Sequence, residues 1–246
     1  IKYNDITANE SKDTGGGLLA SAGDFAIIGN RISSNKTGGS GGGIAIHDAE
    51  GQKTISENSI TGNTAGSEGG GLQLNGDPRL TNNIIADNQA QAGGSGINIS
   101  AGSAQLLHNT IVRNTGGEGV GIYVWYWSSA TLTNTILVSQ SIGILVESES
   151  SAALTATLWG TATWANTTDW AGEGTIITGT TNIWGNPDFV DSLAGDYHIG
   201  ENSDAINAGV DAGVTTDFDN HPRPYQIPDI GADEYWPPGT LTFIYL

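Results

Sequence analysis

The sequence predicts an all-β chain wound as a single-stranded parallel β-helix of about seven coils of ~25 residues, closed by a less regular C-terminal cap. Two repeated phrases and the composition carry that expectation. Asn-x-Ile-x-x-Asn recurs from Asn4, Asn30, Asn58, Asn83 and Asn109, with a fading copy from Asn134, at steps of 26, 28, 25, 26 and 25 residues. A Gly-led alternating triplet follows each copy: Leu18-Leu19-Ala20, Ile44-Ala45-Ile46, Leu72-Gln73-Leu74, Ile97-Asn98-Ile99, Ile122-Tyr123-Val124 and Ile144-Leu145-Val146. Apolar residues make up only 37% of the 246, and Gly alone numbers 37, which suits many short strands joined by tight turns.

Each part of the period has a physical reading. Alternation over three residues turns the outer two side chains of each triplet to one face. A further apolar position, Ile27, Ile55, Leu80 and Leu106, stands three residues before the next leading Asn. One period thus holds three short strands, each with one or two inward aliphatics. A lone coil cannot bury them, but coils stacked at about 4.8 Å pair every strand with its equivalents and enclose an aliphatic interior, as a rod about 30 Å long. Asn tolerates left-handed backbone angles and carries both a donor and an acceptor, so two ladders are expected, at 30-58-83-109-134 and at 35-63-88-114.

The coils are expected over residues 1–186. The chain enters already in phase at Asn4, which implies preceding coils or a partner over that end, and hence end-to-end self-association. The period loosens after about residue 147, where Leu154–Trp159, Thr175-Ile176-Ile177 and Asn182-Ile183-Trp184 read as one more, aromatic-rich coil. A different text then occupies 187–236, and 237–246 reads as a linker with the start of an apolar anchoring tail.

Five motifs in that closing text carry a resemblance: Asn186-Pro187-Asp188-Phe189-Val190-Asp191, Gly195-Asp196-Tyr197-His198-Ile199, Ser203-Asp204-Ala205-Ile206-Asn207-Ala208-Gly209, Asp217-Phe218-Asp219-Asn220-His221-Pro222-Arg223-Pro224 and Asp229-Ile230-Gly231-Ala232-Asp233-Glu234-Tyr235. Together they resemble the C-terminal closing segment of bacterial secreted right-handed parallel β-helix proteins of the pectate-lyase-like superfamily. Those proteins usually have Ser-Pro-Ala-Ile where this chain has Ser203-Asp204-Ala205-Ile206. The resemblance implies a right-handed helix and an extracellular or cell-surface setting. It does not imply an activity, because function resides in sites rather than in folds.

Composition narrows the partners. Eight Lys+Arg against 26 Asp+Glu give a net charge of −18, which repels nucleic acid and anionic membranes. The absence of Cys excludes disulfides, thiol nucleophiles and Cys-ligated zinc, and no run approaches the ~18 apolar residues of a membrane helix.

Residues at equal phase should stack, and one edge, after the Gly-led strand, gathers non-repeating chemistry. It holds His47, Asp48 and Glu50, then Asn75, Asp77 and Arg79, then Trp125, Tyr126 and Trp127. Enzymes of the superfamily that the chain resembles act on polysaccharides, which implies a basic residue with carboxylate-held calcium for a lyase, or close Asp residues for a hydrolase. On that reading His47, Asp48, Asp77 and Arg79 are the catalytic candidates; as solvated turn residues they need no function. Tyr123, Trp125, Tyr126 and Trp127 are the carbohydrate-binding candidates, since three consecutive aromatics cannot all point inward and flat rings stack on sugar faces. Asp217, Asp219, Asp229, Asp233 and Glu234 are the densest acids and suit calcium, which the fold does not require as a cofactor; Arg223 pairing with one of them would make the group structural. His47, His108, His198 and His221 share no phase, so the spacing supports no His metal site. The leading expectation is a non-catalytic, adhesin-like or glycan-contacting rod. A polysaccharide lyase or glycoside hydrolase is the second reading and a filament or sheath subunit the third.

Overall fold

The computed structural model describes residues 1–240 apart from 22, 48 and 49, so Asp48 and the apolar tail 241–246 lie outside the described residues. Seven parallel strands, Leu18–Ala20, Ile44–Ile46, Leu72–Asn75, Gly94–Ser100, Val120–Trp125, Ile142–Val146 and Thr168–Ala171, form the Gly-led sheet. The Asn-led sheet holds Asp5–Thr7, Arg31–Ser33, Ser59–Thr61, Ile84–Ala86 and Thr110–Val112. Phe25–Ile28, Lys53–Ser56, Pro78–Thr81 and Ser103–Leu107 form a return sheet. Ser129–Val138 and Ser151–Gly160 then run unbroken through the Asn-led and return sheets and fuse them.

Sequence reasoning counted three strands per coil; the first four coils have a fourth, only two residues long. These are Glu10–Ser11, Lys36–Thr37, Thr64–Ala65 and Gln89–Ala90. Each turns a single small side chain inward, as Thr37, Ala65 and Ala90 do, and so leaves no apolar alternation to read.

The interior is built from rows of equivalent side chains. Ile6, Ile32, Ile60, Ile85, Ile111 and Leu137 stack in register, as do Ile27, Ile55, Leu80, Leu106, Leu132 and Leu154. From the second coil on, these side chains are essentially removed from water, and burial of each is worth about 1.5–3 kcal/mol.

Both corners flanking the Asn-led sheet are closed by ladders. One runs 4-30-58-83-109 and the other 9-35-63-88-114, each Oδ1 accepting from the side-chain amide of the preceding coil at 2.8–3.1 Å. The same Oδ1 also accepts the backbone N–H of that preceding Asn, and Nδ2 reaches a carbonyl, as from Asn88 to Ile60 at 2.9 Å. The residue before each rung is left-handed, including Glu57 at φ 57, Asn82 at φ 53 and Arg113 at φ 53. Gly43 shows why the following strand is Gly-led: an added Cβ would lie 2.7 Å from the Gly71 carbonyl and 3.1 Å from Asn63 Nδ2.

The sixth copy of the repeat departs from expectation. Thr110 stacks on Ile136, so the level above Asn109 is Thr135, and Asn134 is not a rung. Its amide turns outward and clasps both the N–H and the C=O of Val210. The second ladder, by contrast, outlasts its Asn: Asn114 N–H donates to Gln140 Oε1 and Gln140 N–H to Asn166 Oδ1, both at 2.9 Å.

The closing segment runs back along the flank of the Asn-led sheet. Its hairpin, Phe189–Asp191 with Asp196–Ile199, buries Tyr197 and Ile199 with Ala205, Ile230 and Ala232 against the outward Ile84, Ala86, Val112, Ile136 and Val138. Arg113 ties it down by a bidentate pair to Asp87 and a bond to the Ser192 carbonyl at 2.7 Å, and the Tyr197 hydroxyl donates to the same Asp87.

Ladder rungs and buried hydroxyls should respond oppositely to deletion. Asn63→Ala removes several buried bonds and is expected to cost about 2–4 kcal/mol in urea denaturation. Thr135→Val removes a buried hydroxyl that has no partner among the described residues and should be neutral or stabilising. Equal costs for the two would show that the ladder is dispensable.

Candidate functional site

The return sheet and the turn leading into it carry an open groove of about 780 Å³ whose wall includes Asp24, Asp77, Arg79, Ser103 and Gln105. Asp77 and Arg79 therefore meet there. His47 does not line the groove: it is exposed at the end of Ile44–Ile46, its N–H donating to the Ala20 carbonyl. Asp77 Oδ1 accepts the Ser103 N–H at 2.8 Å and Asp24 Oδ1 the Gln52 N–H at 2.6 Å, so each carboxylate fastens the next coil. Lys53 is buried and gives its ammonium to the carbonyls of Glu50 and Gly51. The groove is thus polar and built largely of turn fasteners.

The outer face of the Gly-led sheet is different. Because Ile122 and Val124 point inward, Tyr123 and Trp125 point outward. Their ring centroids lie 6.1 Å apart with planes inclined by only 11°. Tyr126 and Trp127 follow in a left-handed turn, at φ 56 and φ 60, and are 59% and 66% exposed. All four aromatic candidates therefore cluster at one place.

Amides continue that face over the preceding coils. Gln73, Asn98 and Tyr123 share a row, Asn75, Ser100 and Trp125 the next. Asn98 Nδ2 donates to Gln73 Oε1 at 2.7 Å, and Gln73 Nε2 to Asn75 and Ser100, both at 3.0 Å. Beside them lies a cleft of about 320 Å³ with Glu68, Glu118 and Glu147 in its wall. The Tyr123 hydroxyl donates to Glu147 at 3.1 Å. Burial and the nearby Glu147 push its pKa up to about 12, and burial also raises that of Glu68.

The acids proposed for calcium separate into two groups. Asp217, Asp229 and Glu234 are buried and spend their oxygens on backbone N–H groups: Asp219 and His221 on Asp217, Asn207 and Tyr235 on Asp229, Tyr225 and Asp229 on Glu234. Arg223 pairs with Glu234 at 3.2 Å, both side chains fully buried, and donates to the carbonyls of Asp229, Gly231 and Ala232. The pairing of Arg223 with an acid of this group is therefore present. Asp219 and Asp233 instead face His198, a convergence that coil phase could not show because the closing segment lies outside the repeat.

Two further features escaped sequence reasoning. Trp159, Trp170 and Trp184 form a chain of rings with centroids 5.5 and 6.4 Å apart, and Trp184 Nε1 donates to Asp169 at 2.8 Å. Leu154–Trp159 and Asn182-Ile183-Trp184, read as one aromatic-rich coil, hinted at two of its members, but not at Trp170 or at the contact. The second is His108, which stands in the turn before Asn109 and faces Arg223 NH1 through Nδ1 at 2.5 Å.

A family model described as the right-handed β-helix region matches residues 1–137, more than half of the chain, and the chain belongs to that family. No curated protein and no solved structure matches it significantly.

Burial, reinforced by Arg223, pushes the His108 pKa down to about 3 from an ordinary 6.5. Neutral His108 therefore stabilises the fold above about pH 6.5, and that contribution is lost as the pH falls through about 3. His108→Gln has no such titration. The wild type is expected to lose stability relative to that variant between pH 6.5 and 3, by at most about 1.4 kcal/mol per pH unit, in urea denaturation at several pH values. A difference that does not change with pH would rule this out.

Proposed function

We propose that this right-handed β-helix is a non-catalytic, surface-displayed or extracellular rod that contacts glycans through the outer face of its Gly-led sheet. The observation that carries the reading is the pair of near-parallel outward rings of Tyr123 and Trp125, extended by exposed Tyr126 and Trp127. Aromatic faces supply apolar contact to the C–H side of a sugar, and neighbouring amides supply hydrogen bonds to its hydroxyls. Asn75, half-buried in the row of Trp125, stands where such an amide is needed, whereas Gln73 and Asn98 are buried and bonded to each other. The net charge of −18 disfavours polyanionic glycans, so neutral polysaccharides fit best.

A second reading places a hydrolase or lyase in the return-sheet groove, favoured by the meeting of Asp77 with Arg79 in one open concavity. Against it stand the turn-fastening bonds of Asp24 and Asp77 and the separation of His47 from the groove.

A polysaccharide panel, scored for retention and for reducing or unsaturated ends with and without calcium, separates the two. Retention without turnover, weakened on the order of tenfold by Trp125→Ala or Trp127→Ala, is the expected result. Turnover abolished by Asp77→Ala would replace the binding reading with the enzymatic one.

A further inference from the structure

We propose that His198, Asp219 and Asp233 form a binding site for a divalent transition cation on the closing segment. One donor atom from each of the three lies within 4.8 Å of the other two. They come from three separated stretches: the hairpin strand Asp196–Ile199, the turn that follows Asp217, and the motif that ends at Tyr235. An ion there would join stretches that the chain itself connects only through long loops.

The imidazole is held as a metal-ligating histidine is held. Asp196 Oδ1 lies 2.5 Å from His198 Nδ1 and accepts its proton in a hydrogen bond, and Nε2 donates to Asp219 Oδ2 at 2.9 Å, so that an ion bound between Nε2 and Asp219 would displace the Nε2 proton. A carboxylate on the far ring nitrogen is the outer-shell partner that fixes tautomer and orientation around bound metals. Phe218 packs edge-on against the ring, with centroids 5.9 Å apart, and restricts its plane. Asp233 is buried and fixed by the Ile199 N–H, which donates to its Oδ2 at 2.9 Å.

Charge balance points the same way from an independent direction. Asp217, Asp229, Asp233 and Glu234 are all buried, and Arg223 is the one buried Arg or Lys of the closing segment, committed to Glu234. Buried carboxylates in excess of cations are costly unless a positive charge compensates them. His198 supplies that charge only as a protonated ring, and a divalent ion would take the place of its proton while adding a further unit of charge.

The donor set selects the ion class. Calcium takes six to eight oxygen ligands, whereas one imidazole with two carboxylates suits zinc, manganese or cobalt. About a third of the His198 side chain and two-fifths of that of Asp219 are exposed, which leaves room for water to complete the coordination.

The test titrates the full chain with ZnCl2 and, separately, CaCl2, by calorimetry and thermal melting. One saturable zinc ion per chain is expected, raising the melting midpoint, with zinc binding far tighter than calcium. His198→Gln and Asp219→Asn should each weaken zinc at least tenfold, Asp196→Asn roughly tenfold through loss of orientation, and His47→Gln not at all. Because the first two variants could lose stability, Co²⁺ absorption of the wild type provides a second readout, expected to show mixed nitrogen and oxygen ligation. Any of three results would overturn the proposal: no saturable zinc binding up to about 1 mM, zinc binding unchanged in His198→Gln and Asp219→Asn, or an all-oxygen Co²⁺ spectrum.

Discussion

The amide-to-amide hydrogen bond between equivalent Asn side chains is the interaction on which the rest of the structure depends. A stacked coil must turn its backbone several times per period, and every turn exposes N–H groups that the neighbouring strands cannot satisfy. Each rung answers this twice, accepting from the side chain and from the backbone of the Asn one coil away. Because each Asn is donor to one coil and acceptor to the other, the corners stay in register and carry the Ile rows with them. The left-handed residue before each rung and the bare Gly after it follow from that geometry.

The ladder also explains where irregularity is allowed. Once Thr135 replaces Asn on one side, the corner opens and Ser129–Val138 runs straight through it. The outward face of the fused sheet then meets a second apolar cluster, and the closing segment is held there by groups that each reach across from a coil: Arg113, His108 and Asn134. The burial that keeps His108 neutral beneath a guanidinium belongs to this junction, and so does the buried pair of Arg223 with Glu234.

Most of the coil was legible in the sequence because its constraints repeat. Ile at the second position after the rung and Gly before the triplet recur at nearly constant spacing, and both report on contacts between equivalent residues. What a period cannot show is a departure of one residue. Asn134-Thr135-Ile136 looks like another copy, yet Leu137 fills the interior row and Ile136 faces the closing segment. The two-residue strands were invisible because a single Thr or Ala carries no alternation. The aromatic group at Tyr123–Trp127 was readable from the alternating triplet and from three consecutive aromatics that cannot all point inward, whereas His198, Asp219 and Asp233 meet only through the path of a non-repeating loop, which no spacing rule describes.

That shift at Asn134 has a wider meaning for such rods. In a compact domain, moving one residue in a strand would turn its whole apolar set out of the core. Here the interior is a row of interchangeable aliphatics, so Leu137 keeps the place of Ile in that row and the displaced amide becomes an external hook for Val210. Inside and outside can therefore be edited separately: the corner sets which side chain is presented to the exterior, while the axis of the solenoid continues unchanged past it.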